Sequence, residues 1–173
     1  PINASLIDVI DEKTILVSSQ LTVEDHMLYQ GKAEEREEYL KDKKKTSLYE
    51  DIEELPYYFN GRGFKTGQKK QLFVYHIDTG ELSPILDPLF SADEVVLSND
   101  KSCIYYTGKM DEDLLTLTSK IYQYDLEKQE TSILFNQETF NIRKLVDMGK
   151  LVVLASDMAT YGINQNPDVY ECI

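Results

Sequence analysis

Two histidines, His26 and His76, are the side chains in this sequence that could act as imidazole bases. A hydrolytic triad pairs such a base with a serine nucleophile, which often lies in a Gly-x-Ser-x-Gly pentapeptide because small glycines permit a sharp strand-to-helix turn. The 173 residues contain no such pentapeptide. His26 begins a charged segment and His76 lies in a predicted strand, so we interpret both as surface or strand-face residues. We predict no catalytic residue in this chain.

Two short motifs could bind a phosphate or a metal ion. Gly61-Arg62-Gly63 resembles the start of a phosphate loop, but a third glycine and a helix start do not follow it. Asp111, Glu112 and Asp113 offer the oxygen ligands that hard cations favour, without the ligand spacing or central glycine of an EF-hand loop. We therefore interpret the first motif as a turn and the second as a solvated connection. No cofactor and no metal is predicted.

The cysteines and the net charge indicate the cellular location of the chain and the classes of partner that it could bind. Cys103 and Cys172 lie in apolar runs, where small buried thiols are common, and no charged-then-apolar leader opens the sequence. Both observations favour a reducing, cytoplasmic location. The net charge of −13 would repel nucleic acid and anionic membrane surfaces, and no apolar run approaches the roughly 20 residues that span a bilayer.

A repeat organises these residues. Residues 72–81, LFVYHIDTGE, match residues 121–130, IYQYDLEKQE, in apolar, aromatic and acidic types at an offset of 49, and a third copy begins at Val169, 48 residues later. Two apolar strands joined by a polar turn precede each copy, and a short outer strand follows the first two copies. Four antiparallel strands in 40 to 50 residues are typical of a β-propeller blade, and a two-sheet sandwich is the competing architecture.

The predicted fold is therefore all-β, a partial β-propeller of about three four-stranded blades, the last incomplete. The first blade spans about residues 4–86, the second about 92–135 and the third about 140–173. A charged helical insertion at about 22–45 interrupts the first blade, starting at a capping box at Thr22. Its acidic residues precede its lysines, an order that complements the helix dipole. Its apolar positions are sparse, so we expect it to project into solvent or to contact another domain or subunit.

Residues 52–64, IEELPYYFNGRGF, follow this insertion and precede the strand Leu72-Phe73-Val74-Tyr75. The order of a charged helix, a proline-aromatic-aromatic stretch, Asn-Gly-basic-Gly-aromatic and a strand resembles acylaminoacyl-peptidase-type members of the prolyl oligopeptidase family. Ser98-Asn99-Asp100-Lys101 is similar to the Ser-Pro-Asp-Gly turn of such propellers, with the proline and glycine missing. The resemblance implies a seven-bladed propeller followed by an α/β-hydrolase domain that carries a Ser-Asp-His triad.

The resemblance also implies a function. In such enzymes the propeller covers the active site and restricts access to short peptides, so we expect a non-catalytic propeller segment of a serine peptidase whose hydrolase domain is absent from this chain. Its partners would be that domain and short peptide substrates. The chain opens on Pro1 and stops within a predicted strand, which favours a fragment whose exposed blade edges promote self-association. The alternative is a stand-alone propeller that serves as a binding or scaffold module.

Overall fold

Antiparallel strands make up about half of the residues described by the computed structural model, which are residues 3–46, 58–59, 63–64, 67–110 and 117–172. Two helices, α1 (Met27–Gln30) and α2 (Ala33–Thr46), lie between the second and third strands, and two 3₁₀ turns occupy Glu24–His26 and Gly162–Asn164. The strands in chain order are β1 (Ala4–Val9), β2 (Thr14–Leu21), β3 (Tyr58–Phe59), β4 (Gly63–Phe64), β5 (Lys69–His76), β6 (Glu81–Pro84), β7 (Phe90–Leu97), β8 (Cys103–Met110), β9 (Ile121–Asp125), β10 (Glu130–Phe135), β11 (Phe140–Asp147), β12 (Leu151–Asp157) and β13 (Asp168–Glu171).

The strands form three antiparallel sheets and one two-stranded pair. The first sheet has the order β1-β2-β5-β6, the second β7-β8-β9-β10, and the third β11-β12-β13, while β3 pairs with β4. Every neighbouring pair is antiparallel, so each sheet is a meander in which sequence order equals spatial order. The described strands form two sheets of four strands and one of three, which confirms the predicted all-β class, and the partial propeller stays a prediction.

The tight turn between the first two strands of each sheet is built in the same way. Asp11, Asp100 and Asp147 each accept a hydrogen bond through a side-chain oxygen from the backbone N–H two residues later, at 2.7, 3.0 and 2.9 Å. This is the Asx turn, in which a short carboxylate replaces a backbone acceptor and holds the chain reversal. The three polar turns identified in the sequence therefore have one physical basis.

The first strand of each sheet also carries a β-bulge. The register shifts between Leu6 and Asp8 in β1, between Ala92 and Val95 in β7, and between Ile142 and Lys144 in β11. A bulge bends its strand and increases the local twist. The repeat therefore extends from sequence types to backbone geometry.

The three sheets stack face to face. We call the side of a sheet that packs on the next sheet along the chain its front, and the opposite side its back. The core between the first front and the second back includes Leu16, Leu72, Phe90, Ile104 and Tyr106. The core between the second front and the third back includes Val96, Tyr105, Ile121, Leu151 and Val153.

Because side chains alternate between the two sides of a strand, a sheet packed on both sides needs consecutive apolar residues. Leu16 and Val17 of β2 are 0% and 6% exposed, and they point to opposite sides of the first sheet. On the back of that sheet, Val17 and Phe73 form a third cluster to which Tyr29 of α1 adds its ring. The near-continuous apolar strands of the sequence follow from this stacking.

The helical segment between β2 and β5 differs from a single helix over residues 22–45. A 3₁₀ turn begins at Glu24, α1 ends at Gln30, and the chain is extended at Gly31 before α2 begins. A side chain at Gly31 would collide with the carbonyl oxygen of Met27, so glycine is required for this close approach. The predicted insertion is therefore two helices separated by a break at Gly31.

Candidate functional site

The structure separates the two histidines that could have served as bases. The Nδ1 atom of His26 lies 2.5 Å from the carbonyl oxygen of Val23 in the first turn of the helical segment, and His76 ends β5 opposite Glu81. Within residues 3–46, 67–110 and 117–172, no hydrogen bond joins either ring to a serine hydroxyl. The interpretation of both histidines as surface or strand-face residues without a catalytic role stays a prediction.

The other motifs fall largely outside the described residues. Gly61, Arg62 and the acidic run Asp111, Glu112 and Asp113 are not described, and Gly63 is known only as the first residue of β4. Among the described ranges, no group of three or more His, Cys, Asp or Glu side chains could hold a metal ion. The interpretation of these motifs as a turn and a solvated connection stays a prediction.

The two cysteines are free thiols. Cys103 is 4% exposed at the start of β8, and Cys172 packs half-buried against the core between the second and third sheets. Burial raises the pKa of the Cys172 thiol, which keeps it protonated and weakly reactive. Both behave as small apolar core residues, as their sequence context indicated.

One buried carboxylate organises the helical segment. Asp25 is 3% exposed, and its Oδ2 accepts hydrogen bonds from the backbone N–H and the hydroxyl of Thr22 at 2.9 and 3.1 Å. Its Oδ1 accepts from the Tyr39 hydroxyl at 2.8 Å and pairs with the Lys43 ammonium. Two residues of α2 are thereby fixed to the turn before α1. We call Asp25, Thr22, Tyr39 and Lys43 the Asp25 cluster.

The electrostatics of this cluster favour an ionised aspartate. Burial by itself would raise the pKa of Asp25, but the hydrogen bonds from Lys43, Thr22 and Tyr39 together bring the pKa below its ordinary value of 3.8. Burial and the hydrogen bond to Asp25 raise the pKa of Tyr39, so its hydroxyl remains a donor. A charged acceptor surrounded by donors suits a structural clamp rather than a proton-transfer group.

A groove of about 870 Å³ lies between the helical segment and the back of the first sheet. Its floor consists of apolar strand residues, among them Leu6, Ile15 and Leu82. Arg36 and Glu81 also line it, and the Arg36 guanidinium is held by a bond from Nε to the carbonyl oxygen of Gly31 at 2.7 Å. Such a lining can bind an apolar surface and orient it through charge, but it offers no nucleophile.

A smaller, polar cavity of about 390 Å³ lies near the end of β8 and the start of β9. Its lining includes Lys109, Ser119, Lys120 and Asn136. Ser119 Oγ accepts the backbone N–H of Ile142 at 3.2 Å, so this serine connects the second and third sheets. The cavity therefore lies beside a structural contact between sheets.

Sequence reasoning missed two buried polar residues that position these surfaces. Asp25 is the last residue of the predicted capping box at Thr22, and Gln71 directly precedes the copy at 72–81, but neither was predicted to be buried. Gln71 is 2% exposed, and its Nε2 donates to the carbonyl oxygens of Asp87 and Phe90 at 3.2 and 2.5 Å, which joins β5 to the linker before β7. Gln71 follows Lys69 and Lys70 and precedes the apolar run Leu72-Phe73-Val74, and Asp25 lies between Glu24 and His26, so neither sequence context indicates burial.

Comparison with known proteins gives remote structural likenesses only. No protein-family profile matches the sequence, and no curated protein matches it. Among solved structures, the chain is similar to acylaminoacyl peptidase from Pyrococcus horikoshii in its orthorhombic crystal form, with 13% identity and a TM-score of 0.43. The match covers 98% of this chain and 30% of that protein. At this identity and score, the likeness supports a remote structural relationship only.

The helices of the structure were also compared with the length and hydropathy that a membrane span requires. None of the helices in the described ranges is long and apolar enough to cross a bilayer.

Proposed function

We propose that this chain is a segment of a β-propeller that covers the active site of a serine peptidase and restricts entry to short peptides. In this proposal each of the three sheets is one blade, and the hydrolytic chemistry belongs to an α/β-hydrolase domain elsewhere in the parent protein. The segment itself restricts access to the active site and supplies no reacting group.

The front-to-back stacking of the three sheets is the observation that carries this proposal. A propeller repeats one four-stranded meander around an axis, so each blade covers the apolar side of the next. The matching Asx turns and first-strand bulges support a repeated unit rather than two unrelated layers. In a two-sheet sandwich the second sheet would bury one side, whereas here its two sides belong to two different cores.

The sequence supports the peptidase context in two ways. The order of a charged helical insertion, Leu55-Pro56-Tyr57-Tyr58-Phe59 and Asn60-Gly61-Arg62-Gly63-Phe64 resembles acylaminoacyl-peptidase-type propellers. The missing Gly-x-Ser-x-Gly pentapeptide is consistent with a segment that carries no nucleophile. The free thiols of Cys103 and Cys172 support a reducing, cytoplasmic compartment.

The decisive experiment compares substrates of different size. In the parent protein, we expect rapid hydrolysis of chromogenic dipeptides and acylated amino acids, and poor hydrolysis of an unstructured peptide of about 30 residues. Deletion of residues 22–46 removes the helical segment that lines the groove and should raise the relative rate on the long peptide. The isolated chain should show no turnover. Turnover that persists through repurification, or a parent gene without a hydrolase domain, would contradict the proposal.

The groove beside the helical segment favours a second candidate, a binding or scaffold module. Its apolar floor and its Arg36 and Glu81 could hold an extended partner without any hydrolase domain. The parent gene separates the candidates: a downstream Gly-x-Ser-x-Gly followed by aspartate and histidine supports the peptidase, and a coding sequence without them supports the module.

A further inference from the structure

The smaller, polar cavity lies at an edge of the second sheet. Its lining comes from the end of β8, the residues that lead into β9 and the linker between β10 and β11. Among the described residues, the second sheet is the one that has another sheet packed on each of its two sides. A further sheet stacked on the first or the third sheet would cover an outer side of the stack and not this edge.

An unpaired lysine lines this cavity. Lys120 directly precedes β9 and borders the cavity. Within residues 67–110 and 117–172, every other lysine has an electrostatic or hydrogen-bonding partner, as Lys128 has in Asp125 and Lys144 has in Glu94. The chain carries 31 acidic residues against 18 basic ones, so acceptors for an ammonium are plentiful. The ammonium of Lys120 nevertheless remains available to a ligand.

An unpaired carboxylate lines the same cavity. Glu138 lies on the linker between β10 and β11, and its side chain forms no ion pair or hydrogen bond with the described residues. Glu138 and Lys120 therefore place opposite charges around one cavity without pairing with each other. A ligand that carries both charges can satisfy both side chains at once, whereas a simple anion or cation would satisfy only one.

Polar side chains of the lining can bind an amide group. Asn136 and Gln137 border the cavity, and neither carboxamide forms a hydrogen bond with the described part of the chain. A carboxamide offers both donors and an acceptor, which match the C=O and N–H of a peptide bond. Ser119 Oγ accepts the backbone N–H of Ile142 at 3.2 Å, and the Ser119 N–H donates to the carbonyl oxygen of Phe140 at 2.8 Å. Its hydroxyl hydrogen is thereby held in a fixed position and can be donated.

A fixed aromatic ring completes the lining. The Tyr122 ring stacks on Tyr106 with centroids 5.3 Å apart, and Phe90 packs edge-on against it. Because both neighbours belong to the core, the ring is a rigid surface against which a small side chain can pack. The volume of about 390 Å³ lies at the small end of the range of ligand cavities.

We propose that this cavity binds a short unblocked peptide, of two or three residues, in its zwitterionic form. Its α-carboxylate pairs with Lys120 and its α-ammonium with Glu138, while its amide group bonds to Asn136 and Gln137. A longer peptide would hold its two charged ends too far apart for a cavity of this size. The proposal concerns binding by this chain and needs no hydrolase domain, so its failure would leave the proposed peptidase function unaffected.

Nuclear magnetic resonance titration of the isotope-labelled full chain tests the proposal. The probes are alanylalanine, its N-acetylated form and its C-terminal amide. Alanylalanine should shift the backbone amide signals of Ser119 and residues 136–138 and saturate them with a Kd of roughly 1 to 10 mM, as expected for so small a ligand. Each blocked form should bind about threefold to tenfold more weakly, because it loses one exposed charge pair.

Two variants assign the two ends of the ligand. Lys120→Met should bind alanylalanine and its amide equally, since the partner of the carboxylate is gone, and should still prefer the free amine to the acetylated one. Glu138→Gln should show the reverse pattern. A general loss of structure would weaken all three probes together, so the crossed pattern reports the charges themselves.

Lys128→Met and Glu127→Gln are the matched controls. Both residues lie in the turn between β9 and β10, at the opposite end of β9 from Lys120, and make the same changes of charge. Each control should keep both preferences of the wild type. A titration with alanylalanine that does not saturate overturns the proposal, and so do blocked forms that bind as tightly as the free peptide. Equal effects in the controls and in the cavity variants would also overturn it.

Discussion

At the scale of single residues, the packing between the first and second sheets requires a glycine at position 108. Phe90 packs edge-on against Tyr106 and Tyr122, whose rings stack with centroids 5.3 Å apart. A Cβ atom added at Gly108 would lie closer than 3.0 Å to the Phe90 ring and to the carbonyl oxygen of Ser91. The Phe90 ring occupies the space that glycine leaves, so the aromatic cluster and Gly108 depend on each other.

Gly108→Ala should therefore destabilise the chain. The added methyl group would contact the backbone of Ser91 and the ring of Phe90, and neither can move without disturbing the packing between the two sheets. We therefore expect the free energy of unfolding to fall by about 2 to 4 kcal/mol. Urea titration followed by circular dichroism measures it.

Gly80→Ala is the comparison for this substitution. Gly80 has a φ of +72° and open space around its Cβ position. Alanine there should cost only about 1 kcal/mol, for the left-handed backbone alone. Equal losses at the two positions would contradict the steric explanation at Gly108.

At the scale of elements, the helical segment is held by a few contacts. No residue of α2 is buried, and its apolar Leu40 is 47% exposed. Tyr29 of α1 packs edge-on against Phe73 at 5.0 Å, and the Asp25 cluster joins α2 to the start of the segment. A helix without an apolar side derives little stability from burial, so its position depends on the Asp25 cluster.

The position of α2 should depend on pH. The folded-state pKa of Asp25 is lowered, so its contribution to stability is present above the ordinary value of 3.8 and is lost as the pH falls through the lower folded value. Below that value Lys43 loses its charged partner, and α2 should become accessible to an acid-stable protease such as pepsin before the sheets unfold.

Asp25→Asn should produce the same accessibility at neutral pH. Its carboxamide keeps the size of the side chain and removes the charge, at a cost of about 1 to 2 kcal/mol, since Lys43 is half-exposed. Asp42→Asn, which breaks an exposed pair with Lys45 at 2.9 Å, is the control and should leave cleavage by trypsin within residues 33–46 unchanged. Similar cleavage in the two variants would contradict the role of the Asp25 cluster.

At the scale of the whole molecule, the stability of each sheet depends on its packing against the neighbouring sheets. The second sheet packs on both sides, whereas among the described residues the third sheet is covered on one side only. In stacked repeats, each unit is stabilised mainly by its neighbours, so an end unit opens more easily than a central one.

Hydrogen exchange should show that the third sheet opens more easily than the second. β8 and β12 are both central strands with paired neighbours on each side, which makes them a matched comparison. We expect amides of β12 to open with a free energy about 1 to 3 kcal/mol lower than those of β8, measured at dilute protein concentration. Equal protection in the two strands would indicate that the three sheets unfold as one unit.

The sequence by itself determined the strands, their grouping and the turns. Alternating and continuous apolar runs are local signals, and Asp11, Asp100 and Asp147 act on a backbone amide only two residues away. The copies at 72–81 and 121–130 predicted two equivalent third strands, and the structure places them in equivalent positions as β5 and β9. The break at Gly31 was not predicted, because it depends on the close approach of Gly31 to the carbonyl oxygen of Met27.

Tertiary structure decided which surfaces face one another. Sequence reasoning could not identify Asp25 as the centre of a buried cluster, because Tyr39 and Lys43 reach it from another helix across 14 and 18 residues. Nor could it show that the groove lies on the back of the first sheet, or that Gln71 joins two sheets. These features depend on the stacking of sheets in space, and chain spacing alone carries no information about which residues that stacking brings together.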